Sequence, residues 1–162
     1  MRTGSVRMHG GIFTGSCLLF TLSMAAPHLP AQNAEIGKIR SIAESQHEIV
    51  IILIKKRDFG KAAEEANKMF QMKWPADQEP VLKDELLRFS DLFRHYGQPA
   101  LAVQLLETNL SMFKSDKIKA EIWKDKGYLF KEMGQDDKAL ECFREAKRLE
   151  GKIPLRTAVV KK

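Results

Sequence analysis

The chain has 162 residues, a length typical of one domain, of which 44% are hydrophobic and 30% are charged. This composition excludes wholesale disorder, which requires low hydrophobicity together with high net charge. The formal net charge is +6, but the basic residues show no clustering on one predicted face, so nucleic acid is not an expected partner.

Residues 1–31 have the layout of a secretory signal peptide. They contain no acidic residue, carry two arginines near the start and continue into an apolar stretch over residues 12–26. That stretch is about 15 residues long, whereas a membrane-spanning helix needs about 20 mostly apolar residues. We therefore expect cleavage after Ala31 and export to the periplasm or the medium. Cleavage after Ala25, and a membrane anchor formed by an uncleaved N-terminal segment, are the alternatives.

The number and position of the cysteines limit which disulfide bonds can form. The only cysteines are Cys17, in the predicted signal peptide, and Cys142. Removal of the signal peptide leaves Cys142 alone, so we expect no internal disulfide and a buried thiol, the common fate of a free cysteine. Lipidation of Cys17 is disfavoured because Thr14 stands where an aliphatic residue is expected.

From residue 34 onward the sequence predicts helices only. Glycine and proline are sparse, helix formers dominate and alternating strand patterns are absent. Ser115 is a candidate N-cap, and Gly134 suits a left-handed helix end. The predicted helices cover about 34–56, 60–72, 79–96, 99–113, 116–133 and 136–150. Short connections make successive helices antiparallel neighbours within one domain, residues 32–151, followed by a basic tail, residues 152–162.

The first predicted helix contains an unbroken apolar run, residues 49–54. On a helix such a run exposes apolar surface on every side. We interpret it first as a core helix enclosed by the bundle. An interface with a second copy or a partner is the alternative, and a buried strand is a third.

The helical body repeats with an offset of 37 residues. Placing Gly134 over Gly97 also places Ala139 over Ala102, and a weaker third copy sets Ala62 in the same position. A fixed period of this length indicates stacked helix hairpins, each burying its apolar face on its neighbour.

The stretch from about residue 120 to 154 resembles a tetratricopeptide repeat. Its large residues match the family's aromatic positions, and its small residues match the positions where the two helices cross closely. Lys126 departs from the pattern at a leucine position, and Gly151 departs at the proline. The matching residues are Trp123, Gly127, Phe130, Ala139, Phe143 and Ala146. The resemblance implies a short right-handed tetratricopeptide-like solenoid of about three antiparallel hairpins.

In this family the first helices of each hairpin line a concave groove that binds peptides. The positions that this resemblance assigns to the groove are Asp84, Leu87, Asp91, Arg94, Glu121, Lys124, Tyr128 and Lys131. The alternative is that these residues form only a solvated helix face. A clamp for a C-terminal carboxylate is not expected, because Asp91 and Tyr128 stand where that clamp needs asparagine.

No motif in the sequence indicates an enzyme. His47 and His95 stand alone, without metal-ligand spacing or a nucleophile partner, and there is no phosphate-binding loop. We expect no catalytic residue, cofactor, metal or small-molecule substrate. The favoured function is an exported adaptor that binds a protein or peptide. The alternative is a structural subunit that self-associates, for example as a homodimer.

Overall fold

The computed structural model describes residues 29–153, with side chains described from residue 34 onward. Within this range the regular structure is helical and no strand occurs, which confirms the predicted all-α class. The helices are α1 (Leu29–Lys55), α2 (Phe59–Phe70), α3 (Glu79–His95), α4 (Pro99–Asn109), α5 (Asp116–Glu132) and α6 (Asp136–Glu150). Most of the predicted signal peptide and residues 154–162 of the predicted tail lie outside the described residues.

The predicted helix bounds agree with these to within two residues except at two ends. Helix α1 begins at Leu29, so the predicted cleavage point after Ala31 lies in its first turn, where a proline is readily accepted. Helix α4 ends at Asn109 and continues only as a short 3₁₀ turn. The Asn109 side chain donates to the Leu105 carbonyl at 2.9 Å, and such side-chain bonds compete with the helical ladder.

The same turn ends α1, α3 and α5. In each case one residue adopts a positive φ: Arg57 at 62°, Gly97 at 75° and Gly134 at 70°. The next amide then donates back across the turn to a carbonyl five residues earlier, which is the Schellman arrangement. These bonds join Asp58 to Leu53 at 3.0 Å, Gln98 to Phe93 at 2.8 Å and Gln135 to Phe130 at 2.8 Å. The left-handed conformation predicted for Gly134 is confirmed.

The turns fold the helices into pairs, with α1 on α2, α3 on α4 and α5 on α6. A buried alanine lies near the start of each second helix, at Ala62, Ala102 and Ala139, where a small side chain lets two helices approach closely. Further contacts join α2 to α4, α3 to α5 and α4 to α5. One continuous core therefore runs through the three pairs.

The residues that match the repeat signature pack between α5 and α6. Gly127, Phe130, Ala139 and Ala146 are buried. Trp123 and Phe143 are half-buried and pack against the core. A Cβ atom built on Gly127 would lie 2.8 Å from the Phe143 ring, so this ring rests directly on the glycine.

Asn109 stands where the repeat pattern calls for alanine, and it is buried. Besides its bond to Leu105, its amide donates to the Asn67 side-chain oxygen at 2.7 Å. The bond joins α4 to α2. A buried amide is tolerated here because its donor is satisfied by groups on both helices.

The apolar run in α1 is divided between two environments. Val50 and Ile54 are buried in the core, whereas Ile49 and Ile52 are exposed on the opposite side of the helix. The expectation of a helix enclosed on all sides is wrong for Ile49 and Ile52, because the described helices that lie near α1 pack against its opposite face. The strand alternative is also wrong, since the whole run is helical.

Gly127→Ala should destabilise the protein by about 1–3 kcal/mol, because the new methyl group displaces the Phe143 ring from a packed position. The matched control is Gly37→Ala in α1, where nothing lies within 4 Å and alanine should add about 1 kcal/mol through helix propensity. Urea denaturation measures both. Equal effects of the two substitutions would contradict the close contact between α5 and α6.

Arg57→Gly should stabilise the protein by about 0.5–1 kcal/mol, because glycine adopts a positive φ without the steric cost borne by arginine. Its neighbour Lys56 lacks a positive φ, so Lys56→Gly serves as the control and should lower stability. Thermal unfolding compares the two variants. A loss of stability in both would show that the turn tolerates arginine at no cost.

Candidate functional site

A cleft with a volume of about 590 Å³ opens between α1 and α3. The two helices make little direct contact, and side chains from both line the gap. Its apolar lining comes from Ala43 on α1, from Met69 and Trp74, and from Val81 and Leu82 on α3. The Trp74 ring is fixed because its Nε1 donates to the Met69 carbonyl at 2.9 Å.

Two polar bridges cross the cleft. The Arg40 guanidinium donates to the Gln78 side-chain oxygen at 3.1 Å. His47 Nδ1 contacts the Glu85 carboxylate, and the imidazole stacks on Phe89 with 5.4 Å between ring centroids. These side chains connect α1 with α3 and with the short turn that precedes it.

The rim of the cleft carries charges of both signs. Glu44 and Glu48 lie on the α1 side and Arg88 on the α3 side. Val81, an apolar lining residue of α3, has 61% of its surface exposed. An apolar floor with charged walls is the usual chemistry of a groove that accepts a peptide or an amphipathic helix.

A smaller cavity of about 230 Å³ lies between α3 and α5. It brings together three of the residues predicted for a groove: Asp91, Arg94 and Tyr128. The Arg94 Nε donates to Asp91 at 3.0 Å, and Arg94 also lies 3.6 Å from Glu132. Burial in this cavity, reinforced by the nearby Asp91 charge, raises the pKa of Asp125 above its usual value.

The other predicted groove residues line neither cavity. Leu87 is half-buried against the core, and Lys131 is exposed. Asp84 and Glu121 both bind Lys83, at 2.7 and 2.9 Å. These two carboxylates are also what raises the Lys83 pKa.

Lys124, the remaining predicted groove residue, pairs with Glu150 at the end of α6. That carboxylate raises the pKa of the lysine. Three of the eight residues predicted for a groove thus meet in a small charged pocket, and the larger apolar cleft one helix pair earlier was not predicted.

A third recess, of about 400 Å³, lies among α4, α5 and α6. Lys126 extends into it, with its ammonium 4.0 Å from the centre of the Trp123 ring and 2.9 Å from Glu107. Lys126, which departs from the repeat pattern, thus buries its aliphatic chain while its ammonium pairs with a carboxylate. Cys142 lies on the same recess; its thiol is buried, as predicted, and desolvation raises its pKa.

The odd-numbered helices are aligned by side-chain pairs 38 residues apart in sequence. These pairs are Arg40 with Gln78, His47 with Glu85, Lys83 with Glu121 and Arg94 with Glu132. Because they occur in the same order along each helix, α1, α3 and α5 run parallel. Complementary residues at this spacing are a sequence signal that could have located the cleft.

No protein-family model matches the chain, and no curated protein matches it. No group of three or more metal-ligating side chains occurs among the residues described. The helices within residues 29–153 also include none long and apolar enough to cross a membrane.

Asp125→Asn should stabilise the protein at pH 7 and have little effect at pH 3. The pKa of Asp125 is raised in the folded state, whereas in the unfolded chain an aspartate releases its proton near pH 3.9. As the pH rises from that value through the higher folded-state pKa, the unfolded state becomes relatively more favourable and the free energy of unfolding falls. Asparagine does not titrate, so the variant should not show this loss. Urea titrations at several pH values give the difference between variant and parent.

The matched control is Asp84→Asn, which removes a carboxylate paired with Lys83 and should give no gain at pH 7. A gain for Asp125→Asn that does not change with pH would show that the carboxyl is not desolvated in the folded state.

Proposed function

We propose that this protein is an exported, tetratricopeptide-like adaptor that binds a protein segment in the cleft between α1 and α3. The observation that carries the proposal is the cleft itself, about 590 Å³ in volume, with an apolar floor and charged walls. Ligand sites are typically concave and mostly apolar, with a few placed polar groups. Binding, without catalysis, is the activity proposed.

The cleft geometry favours a segment that presents large apolar side chains on one face. These would pack against Trp74, Val81 and Leu82, while flanking charges meet the rim. A helix or extended peptide with apolar residues three or four apart on one face, or at alternate positions, satisfies this requirement. Acidic and basic residues on its flanks would pair with Arg88 and Glu44.

Two further features support the assignment. The small and aromatic residues between Trp123 and Ala146 follow the tetratricopeptide spacing, and repeats of this type commonly serve as scaffolds for protein contacts. The N-terminal sequence has the layout of an export signal, which would put the partner outside the cytoplasm.

The test selects peptides from a random display library on the full chain and then measures their affinity by calorimetry. Val81→Glu places a charge in the apolar lining of the cleft and should weaken binding of the selected peptides at least about tenfold, a change of about 1.4 kcal/mol. Val81 is 61% exposed, so the fold should be retained.

The matched control is Leu140→Glu on α6, where 51% of the leucine is exposed and no cleft residue is touched. It should leave peptide affinity unchanged. Peptides that bind both variants as tightly as the parent would place the binding site elsewhere, and a library that yields no binder would count against an adaptor.

A further inference from the structure

One side of the α5/α6 pair exposes apolar side chains. Tyr128 on α5 is 61% exposed and Leu140 on α6 is 51% exposed. The half-buried Phe143 lies one turn after Leu140, and its ring contacts that of Tyr128 with 5.2 Å between ring centroids. We call the surface formed by these three residues the end face. None of them lines the cleft between α1 and α3.

The equivalent surface of the preceding helix pair is covered by α5. The turns that end α3 and α5 are alike and 37 residues apart, so residues at this offset occupy equivalent places in the two pairs. Leu140 then corresponds to Val103, and Phe143 corresponds to Leu106. Both of the earlier residues are buried, and α5 packs on α3 and on α4. A helix therefore covers in one pair the positions that are exposed in the next.

An ion pair accompanies this packing of α5. Arg94 on α3 lies 3.6 Å from Glu132 on α5. The residue 37 positions after Arg94 is Lys131, which is exposed and does not appear in an ion pair among residues 34–153. A carboxylate on a helix that covered the end face would meet Lys131 as Glu132 meets Arg94.

The charge around the end face is mainly positive. The charged residues on the stripes of α5 and α6 that contain Tyr128, Leu140 and Phe143 are Lys117, Glu121, Lys124, Lys131, Asp136, Lys147 and Glu150. Glu121 is held by Lys83 on α3, and Glu150 pairs with Lys124. Three lysines then stand against one carboxylate, so the surface attracts negative charge.

We propose that the end face binds an amphipathic helix of a partner protein, with an apolar stripe bordered by carboxylates. The helix would lie as α5 lies on the preceding pair, with its apolar side chains on Leu140 and Phe143 and a carboxylate at Lys131. This mode of recognition is a helix in a groove. It defines a second interaction site, separate from the cleft between α1 and α3.

Helix α5 shows that such chemistry fits a surface of this kind. Its buried residues include Ile118, Ile122 and Leu129, and Glu121 and Glu132 beside them pair with basic residues of α3. The C-terminal tail has a different character. Residues 154–162 contain three basic residues and no acidic one, so the tail would add positive charge to a surface that already has an excess of lysines.

The probe is a fluorescein-labelled synthetic peptide with the sequence of residues 116–133, because α5 covers the equivalent surface of the preceding pair. Fluorescence anisotropy with the full chain at low salt should show saturable binding with a Kd of about 10–200 µM, as expected of a single helix on a small surface. Leu140→Glu should weaken binding at least about tenfold. Val81→Glu, in the cleft, should leave it unchanged, and circular dichroism checks that both variants are folded.

A charge exchange tests the position of the helix. Lys131→Glu in the full chain and Glu132→Lys in the peptide should each weaken binding about threefold or more, because an attractive pair becomes repulsive. The two changes together should recover the parent affinity within about twofold. The proposal is overturned if the peptide shows no saturable binding up to about 500 µM, if Leu140→Glu has no effect, or if the combined changes bring no recovery.

Two other occupants of the end face would give different results. Leu155→Asp in the tail should leave peptide affinity unchanged, whereas a gain of about fivefold or more would show that the tail covers the end face. Sedimentation equilibrium should give the same mass for the parent and for Leu140→Glu. A parent dimer that Leu140→Glu dissociates would assign the end face to a second copy of the chain. Either of these contrary results overturns the proposal.

Discussion

At the ends of α1, α3 and α5, one residue in the left-handed region turns the chain back onto the helix just completed. The turn is short, so the two helices it joins must be antiparallel and in contact. A buried alanine then allows them to approach closely. Arg57 occupies the left-handed position in the first turn without the freedom of glycine, so packing must hold it there.

Because each helix is antiparallel to the next, α1, α3 and α5 run parallel to one another. This arrangement determines which of their side chains come into contact. Between α3 and α5, Lys83 and Arg94 pair with carboxylates on the facing helix and the backbones are close. Between α1 and α3, Arg40 and His47 form the bridges and the backbones stand apart. The apolar surface of Met69, Trp74 and Leu82 is consequently left at the bottom of a cleft.

Much of the fold follows from local chemistry visible in the sequence. Ser115 caps α5 as predicted, its hydroxyl accepting from the Ile118 amide at 3.4 Å, and Gly134 ends the same helix in the left-handed region. These features depend on a few neighbouring residues. Helix limits were therefore predictable almost throughout.

The site was less predictable because it depends on the distance between helices that are far apart in sequence. The family resemblance directed attention to α3 and α5, where Asp91, Arg94 and Tyr128 do meet. It gave no indication that α1 would stand away from α3. Nor could periodicity decide which isoleucines of α1 face the core, since an apolar run has no preferred side.

The separation of α1 from α3 also bears on how cooperatively the protein opens. Helix α1 packs on α2 and is linked to α3 by the Arg40 and His47 bridges, with little direct contact between the two backbones, whereas α5 and α6 contact each other extensively. Hydrogen exchange is fastest where few apolar contacts resist local unfolding, so we expect faster exchange in α1 than in α5 and α6. A segment bound in the cleft would add contacts to α1. Binding would therefore stabilise this helix against local unfolding.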